Sequence, residues 1–131
     1  MARIYSTQIE AARKGIVTPE LELVAAKENR SVEELLPLLA EGKMVIPANI
    51  HHTSLDPNGV GGMLKTKVNV NIGISRDCKD YDIEMKKVMR AVELGAESIM
   101  DLSSHGDTQP FRRKLCTECP AMIGTVPVYD S

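Results

Sequence analysis

Aromatic side chains are nearly missing: the 131 residues hold no Trp, one Phe and three Tyr. A core must then be built from Val, Ile, Leu, Met and Ala, the residue set of buried parallel sheets and the helices that cover them. No apolar run approaches the roughly 20 residues that a membrane-crossing helix needs. The opening Met1-Ala2-Arg3-Ile4-Tyr5-Ser6 lacks the apolar stretch of a secretory signal, so the expected compartment is the cytoplasm. An excess of positive charge is lacking as well. Sixteen Lys and Arg against 18 Asp and Glu leave a net charge of −2, without the clustered basic face that a phosphate backbone requires. The densest basic run, Arg112-Arg113-Lys114, falls in an expected helix and reads as a solvated face. Neither nucleic acid nor a membrane is expected as a partner.

Cysteine is scarce too. Cys78, Cys116 and Cys119 form an odd set behind no export signal, which argues for reduced thiols rather than a disulfide framework. Cys116-Thr-Glu-Cys119 has the C-x-x-C spacing, yet a structural zinc site needs a second ligand pair, and none follows. A thioredoxin-like pair opens a helix after a strand, whereas this one falls near a helix end. The thiols read as incidental, and no metal ligand is expected in this chain.

What is present is ordinary in amount, with 43% apolar and 26% charged residues and room for a modest core. The fold class expected is α/β, with a helical and loop region over 1–65 followed by a strand–helix alternation over 66–131. In the first part, Thr7 with Glu10 and Ser31 with Glu34 have the spacing of capping boxes, and Thr18-Pro19 is a third helix start. Gly15 and Gly42 are the expected stops, and Pro37 should kink or shorten the third helix. Lys43–Pro47 is a candidate short strand. Asp56-Pro-Asn-Gly59 is a turn signature, and Gly59, Gly61 and Gly62 read as loop flexibility, because a phosphate-binding loop needs a flanking strand, helix and Lys. The adjacent His51 and His52 seldom point at one ion and read as loop histidines.

From Lys67 the texture changes. Val68–Gly73, Ser98–Leu102 and Met122–Val128 are expected strands, alternating with helices over Asp80–Leu94 and Asp107–Leu115. Met85, Val88, Met89 and Val92 form the apolar stripe of the first of these helices. Short joins between such elements imply parallel strands with right-handed crossovers. Asn71, Met100 and Tyr129 lie near the carboxyl ends of the three strands, 29 residues apart each time. A β/α barrel spends about 30 residues per unit, and ligands bind at the carboxyl ends of its strands. Equal spacing therefore places these three side chains at one rim.

Their chemistry fits a nitrogenous polar ligand. Val68-Asn-Val-Asn-Ile72 puts two carboxamides on one strand face, where Asn is disfavoured and needs hydrogen-bonding partners. Asn69 pairing with Asn71 is the purely structural alternative. Met100 offers a thioether that fills core space or walls a pocket. Tyr129 presents a ring with a hydroxyl, just after Pro127. Asp101 points to the opposite face and reads as a helix cap or an Arg partner. Ser103, Ser104 and His105 lie on the loop above.

These residues also carry a resemblance. Thr7-Gln-Ile-Glu-Ala-Ala-Arg-Lys-Gly15, Val45-Ile-Pro-Ala-Asn49, Lys67-Val-Asn-Val-Asn-Ile-Gly73, Ile99-Met-Asp-Leu-Ser103 and Ile123-Gly-Thr-Val-Pro-Val-Tyr129 resemble, in order, the ThiC family of phosphomethylpyrimidine synthases. The resemblance implies a radical S-adenosylmethionine lyase of thiamine biosynthesis that rearranges aminoimidazole ribotide to hydroxymethylpyrimidine phosphate. It implies a helical N-terminal region, a (β/α)8 barrel and a C-terminal segment bearing a [4Fe–4S] cluster, with a zinc-type metal and a homodimeric assembly. Asn71, Met100 and Tyr129 match its ribotide-contacting positions.

Two departures stand beside the likeness. Many relatives read Asn-Ile-Gly-Asn-Ser or Gly-Thr-Ser, Asp-Leu-Ser-Thr-Gly and Val-Pro-Ile-Tyr-Gln where this chain has Asn71-Ile-Gly-Ile-Ser75, Asp101-Leu-Ser-Ser-His105 and Val126-Pro-Val-Tyr-Asp130. That drift raises a paralogous branch, which makes hydroxybenzimidazole for cobamides from the same ribotide. The family's C-x-x-C-x4-C motif and metal-binding histidines belong to its C-terminal part, and Cys116 and Cys119 do not match them. Three strands also cannot close a barrel. The expectation is an N-terminal portion that is inactive alone and binds no cluster, S-adenosylmethionine or metal by itself; a non-catalytic ribotide-binding module is the alternative of a different class.

Overall fold

A computed structural model describes residues 4–130. The chain folds as two compact units: the described residues up to Ala48 together with Pro57–Thr66, and Asn49–Asp56 together with the residues from Lys67 on.

The first unit is built on local capping. Helix α1 (Gln8–Arg13) starts at Thr7, whose hydroxyl accepts from Glu10 N at 3.1 Å, and gives way at Gly15 with φ +71°. Helix α2 (Pro19–Glu28) starts at Thr18, with Pro19 at its first position and Thr18 Oγ1 accepting from Leu21 N. Helix α3 (Val32–Ala40) has the complete Ser31–Glu34 capping box. Pro37 does not end α3, which continues to Ala40 before Gly42 takes φ +74°. The apolar stripes of these helices bury Ala12, Leu21, Val24, Leu35 and Leu39 with Met44 and Ile46. Each large aliphatic side chain so buried contributes roughly 1.5–3 kcal/mol.

Strands β1 (Met44–Val45) and β2 (Val60–Gly61) pair antiparallel, Met44 opposite Gly61. This pairing corrects the reading of Gly59–Gly62 as loose loop. A Cβ on Gly59 would stand 2.7 Å from Leu64 Cδ1 and 2.9 Å from Val24 Cγ1. One on Gly61, at φ +139°, would stand 2.5 Å from the Lys43 carbonyl oxygen. Close approach, rather than flexibility, calls for glycine at both positions.

The second unit is a parallel three-stranded sheet in sequence order: β3 (Asn69–Ile72), β4 (Ser98–Asp101) and β5 (Met122–Thr125). Helix α4 (Tyr81–Glu93) follows β3, with Asp80 Oδ1 accepting from Asp82 N and Ile83 N. Helix α5 (Gln109–Glu118) follows β4. The alternation along each strand sends Val70, Ile72, Ile99 and Ile123 to one face, where they join Met85, Val88, Phe111 and Leu115 from the helices. Met89 was expected on that stripe but is 37% exposed. The carbonyls that end α5 have no partners within the helix. They are met by the 49–56 segment: Thr53 N donates to Cys116 O at 2.9 Å, and Ser54 Oγ to Cys119 O at 2.7 Å. His52, buried, places Nε2 2.6 Å from Cys119 O, so it serves as a loop anchor.

The third strand is shorter than its apolar run suggested. It stops at Thr125, and Pro127–Asp130 form a 3-10 turn. Pro127 has no N–H to donate to a ladder, so pairing ends where the proline enters.

Candidate functional site

The sheet register decides which side chains share a place. Asn71 is the register partner of Met100, and Met100 that of Gly124. These three positions form one row near the carboxyl ends of the strands, on the face turned away from α4 and α5. Asn71 is exposed and Met100 half-buried. The Met100 thioether lies over the third strand: a Cβ on Gly124 would stand 2.8 Å from its Cε and 2.9 Å from its Sδ. Asn69 Nδ2 donates to Asn71 Oδ1 at 3.4 Å, a long bond that uses the oxygen of the Asn71 carboxamide.

Tyr129 is not in that row. Its 29-residue interval from Met100 matches the first interval in sequence but not in register, because the true partner in β5 is Gly124. Tyr129 instead rides the 3-10 turn beyond the carboxyl end of β5, 48% exposed, with its N–H donating to Val126 O at 3.0 Å. The sheet thus brings Asn71 and Met100 side by side and supplies Tyr129 from a turn. Ser104 and His105 are exposed on the loop after β4, whereas Ser103 is fully buried.

Behind the row lies a buried polar network that composition did not announce. Asp101, with no exposed surface, accepts at Oδ1 from Ser103 N at 3.0 Å and from Ser103 Oγ at 2.5 Å, and at Oδ2 from Arg112 Nε at 2.8 Å. The Arg-partner reading of Asp101 is therefore the observed one. Ser103 Oγ in turn accepts from Ile74 N at 3.0 Å, and Glu84, 1% exposed, accepts from Gly73 N at 2.9 Å. Arg112 also donates through Nη1 to Asp130, which accepts a second bond from Thr108 Oγ1 at 3.1 Å. Burial alone would lower the Arg112 pKa, and the bonds to Asp130 and Asp101 outweigh it, holding the guanidinium above its ordinary value. Arg112 is thus the exception in a basic run read as solvated, while Arg113 and Lys114 are exposed. Glu84 had a signal available: it sits on the apolar stripe of α4, beside Met85 and four residues before Val88, where a carboxylate needs a partner.

The Radical SAM ThiC family matches residues 7–131 of this sequence. The chain belongs to that family. It is 55% identical over 127 residues to the phosphomethylpyrimidine synthase of Clostridium botulinum (strain Hall), and 58% identical over 127 residues to that of Alkaliphilus oremlandii (strain OhILAs). Each match covers 97% of this chain and 29% of the relative, so the chain spans less than a third of the length of these curated relatives.

The name of the ThiC family points to radical S-adenosylmethionine chemistry and with it an iron–sulfur cluster. The donor set present here does not fit one. Among the described residues no three His, Cys, Asp or Glu side chains are grouped to hold a metal ion. Burial raises both the Cys116 and Cys119 thiols, which favours the protonated form over the thiolate that a cluster iron takes.

Proposed function

We propose that this chain is the N-terminal portion of a phosphomethylpyrimidine synthase and holds one side of its ribotide pocket. The observation that carries this reading is the parallel register that seats Asn71 beside Met100 on the open sheet face, in a chain more than half identical to synthases of that name. In this reading β3–β5 with their helices are the first three units of a (β/α)8 barrel, and the row lies at the carboxyl rim where barrels bind ligands. Asn71 offers amide donors and an acceptor to the ring nitrogens, amine or hydroxyls of aminoimidazole ribotide. Met100 gives a polarizable wall against the ring, and Tyr129 closes the rim with a ring and a hydroxyl. These residues bind and orient; the [4Fe–4S] cluster, S-adenosylmethionine and a zinc-type metal belong to the remainder of a complete, dimeric enzyme. The isolated chain therefore forms no product.

The related branch that makes hydroxybenzimidazole starts from the same ribotide, so the binding reading serves both. The drifted positions bear on the choice. Ile74 is buried and Asp130 is engaged by Arg112 and Thr108, whereas Ser104 and His105 are exposed on the loop after β4. The thiamine pyrimidine as product rests on the name of the similar synthases.

Calorimetry with aminoimidazole ribotide on the complete enzyme tests the reading. Asn71→Ala should raise the ribotide Kd about tenfold, the loss of one substrate hydrogen bond, and leave S-adenosylmethionine affinity unchanged. An unchanged ribotide Kd would remove Asn71 from the pocket and the reading with it.

A further inference from the structure

We propose that Arg112 is a positioning residue for the ribotide site, clamping the turn that carries Tyr129 to the end of β4. The inference rests on the site reading just given. Arg112 projects from α5 on the helix-covered side of the sheet and reaches two carboxylates, Asp101 through Nε at 2.8 Å and Asp130 through Nη1. Each carboxylate is the chain neighbour of a site residue: Asp101 follows Met100, and Asp130 follows Tyr129. One planar cation therefore ties the backbone beside Met100 to the backbone beside Tyr129. The rigid fork of the guanidinium suits this span, which a single ammonium point charge does not.

The two ends of the clamp differ in what else holds them. Asp101 is fixed from all sides, through Ser103 to Ile74 N after β3 and by complete burial. The turn is four residues of 3-10 geometry led by a proline without an N–H, and its bonds include Tyr129 N to Val126 O and Thr108 Oγ1 to Asp130. Arg112 supplies the charged attachment. Its Nη2 is buried without a hydrogen-bond partner, a cost accepted where the guanidinium is placed by its two carboxylates. Loss of the clamp leaves β4 in place and frees the turn, so the effect should reach the ligand through Tyr129.

A double-mutant cycle on the complete enzyme tests this, with ribotide and S-adenosylmethionine affinities read by calorimetry. Arg112→Gln should raise the ribotide Kd about tenfold, the worth of one charge-assisted hydrogen bond, and leave S-adenosylmethionine affinity unchanged. It should add nothing in a Tyr129→Ala background, and Arg112→Lys, which keeps the charge without the fork, should not restore affinity. Should Arg112→Gln fail to fold, Asp130→Asn, which keeps the Asp101–Arg112 pair, carries the same cycle. Full additivity with Tyr129→Ala, or an unchanged ribotide Kd in a folded variant, overturns the clamp alone. If Tyr129→Ala itself leaves ribotide binding intact, Tyr129 leaves the site and the clamp falls with it, while the Asn71–Met100 row stands or falls on the Asn71→Ala result.

Discussion

On the helix-covered face of the β3–β4–β5 sheet Ile99 is fully buried and Ile72 is 8% exposed, and the one charged residue there, Asp101, has all its oxygens engaged. On the opposite face Asn71 is exposed, Met100 is half-buried and Gly124 carries no side chain at all. The same four-residue strands serve both, because alternate residues point to opposite sides. The closed face holds the structure together with apolar burial and an ion-pair network centred on Asp101 and Arg112. The open face has donors and a thioether without a full set of partners. Stability and binding should therefore respond to different residues only one position apart.

The largest break in that division comes from the closed face. Ile99→Ala removes a side chain with no exposed surface from the cluster with Val88, Leu115 and Ile72. Urea denaturation should show a loss of about 3 kcal/mol. A loss below about 1 kcal/mol would mean the sheet does not depend on this layer.

How far these features could be read beforehand depends on how local their causes are. Capping is local, so the starts at Thr7, Thr18 and Ser31, and both ends of α4, follow from neighbouring residues. The β1–β2 pairing is not: Met44 meets Gly61 across a stretch of loop and turn, and two-residue strands have no period to detect. The third strand was over-extended because Val126 and Val128 read as strand residues while Pro127 between them cannot pair. In the candidate site, the adjacency of Asn71 and Met100 was legible because one β/α unit of 29 residues happens to equal the register shift from β3 to β4. The next unit is shorter in register, and Tyr129 consequently falls beyond the strand. Asp101 advertised a basic partner; nothing in the sequence announced that the same Arg112 would also reach Asp130.

A smaller change on the open face should sharpen the contrast. Gly124→Ala places a methyl group where Met100 Cε and Sδ now lie, and both are the far end of a flexible side chain. Met100 can swing aside, so stability should change by less than about 1 kcal/mol. The displaced thioether then intrudes on the row beside Asn71, and ribotide affinity of the complete enzyme should fall roughly tenfold, the scale of one misplaced methylene in a fitted pocket. A large drop in stability with unchanged affinity would reverse the assignment of the two faces.

The smallest effect lies where the faces meet, at Asp130. Its bond to Arg112 holds the carboxyl below its ordinary value of 3.8, aided by Thr108 and opposed by partial desolvation. A carboxyl depressed in the folded state stabilises the protein above the unfolded value and loses that contribution as pH falls through the folded one. Asp130→Asn should therefore lower the melting temperature slightly at neutral pH, and the gap to the parent should close below pH 3.8. Because Asp130 is partly open to solvent, added salt should shrink the gap further. A gap that persists unchanged into acid would mean that Asp130 acts through the backbone of the turn and not through its charge on Arg112.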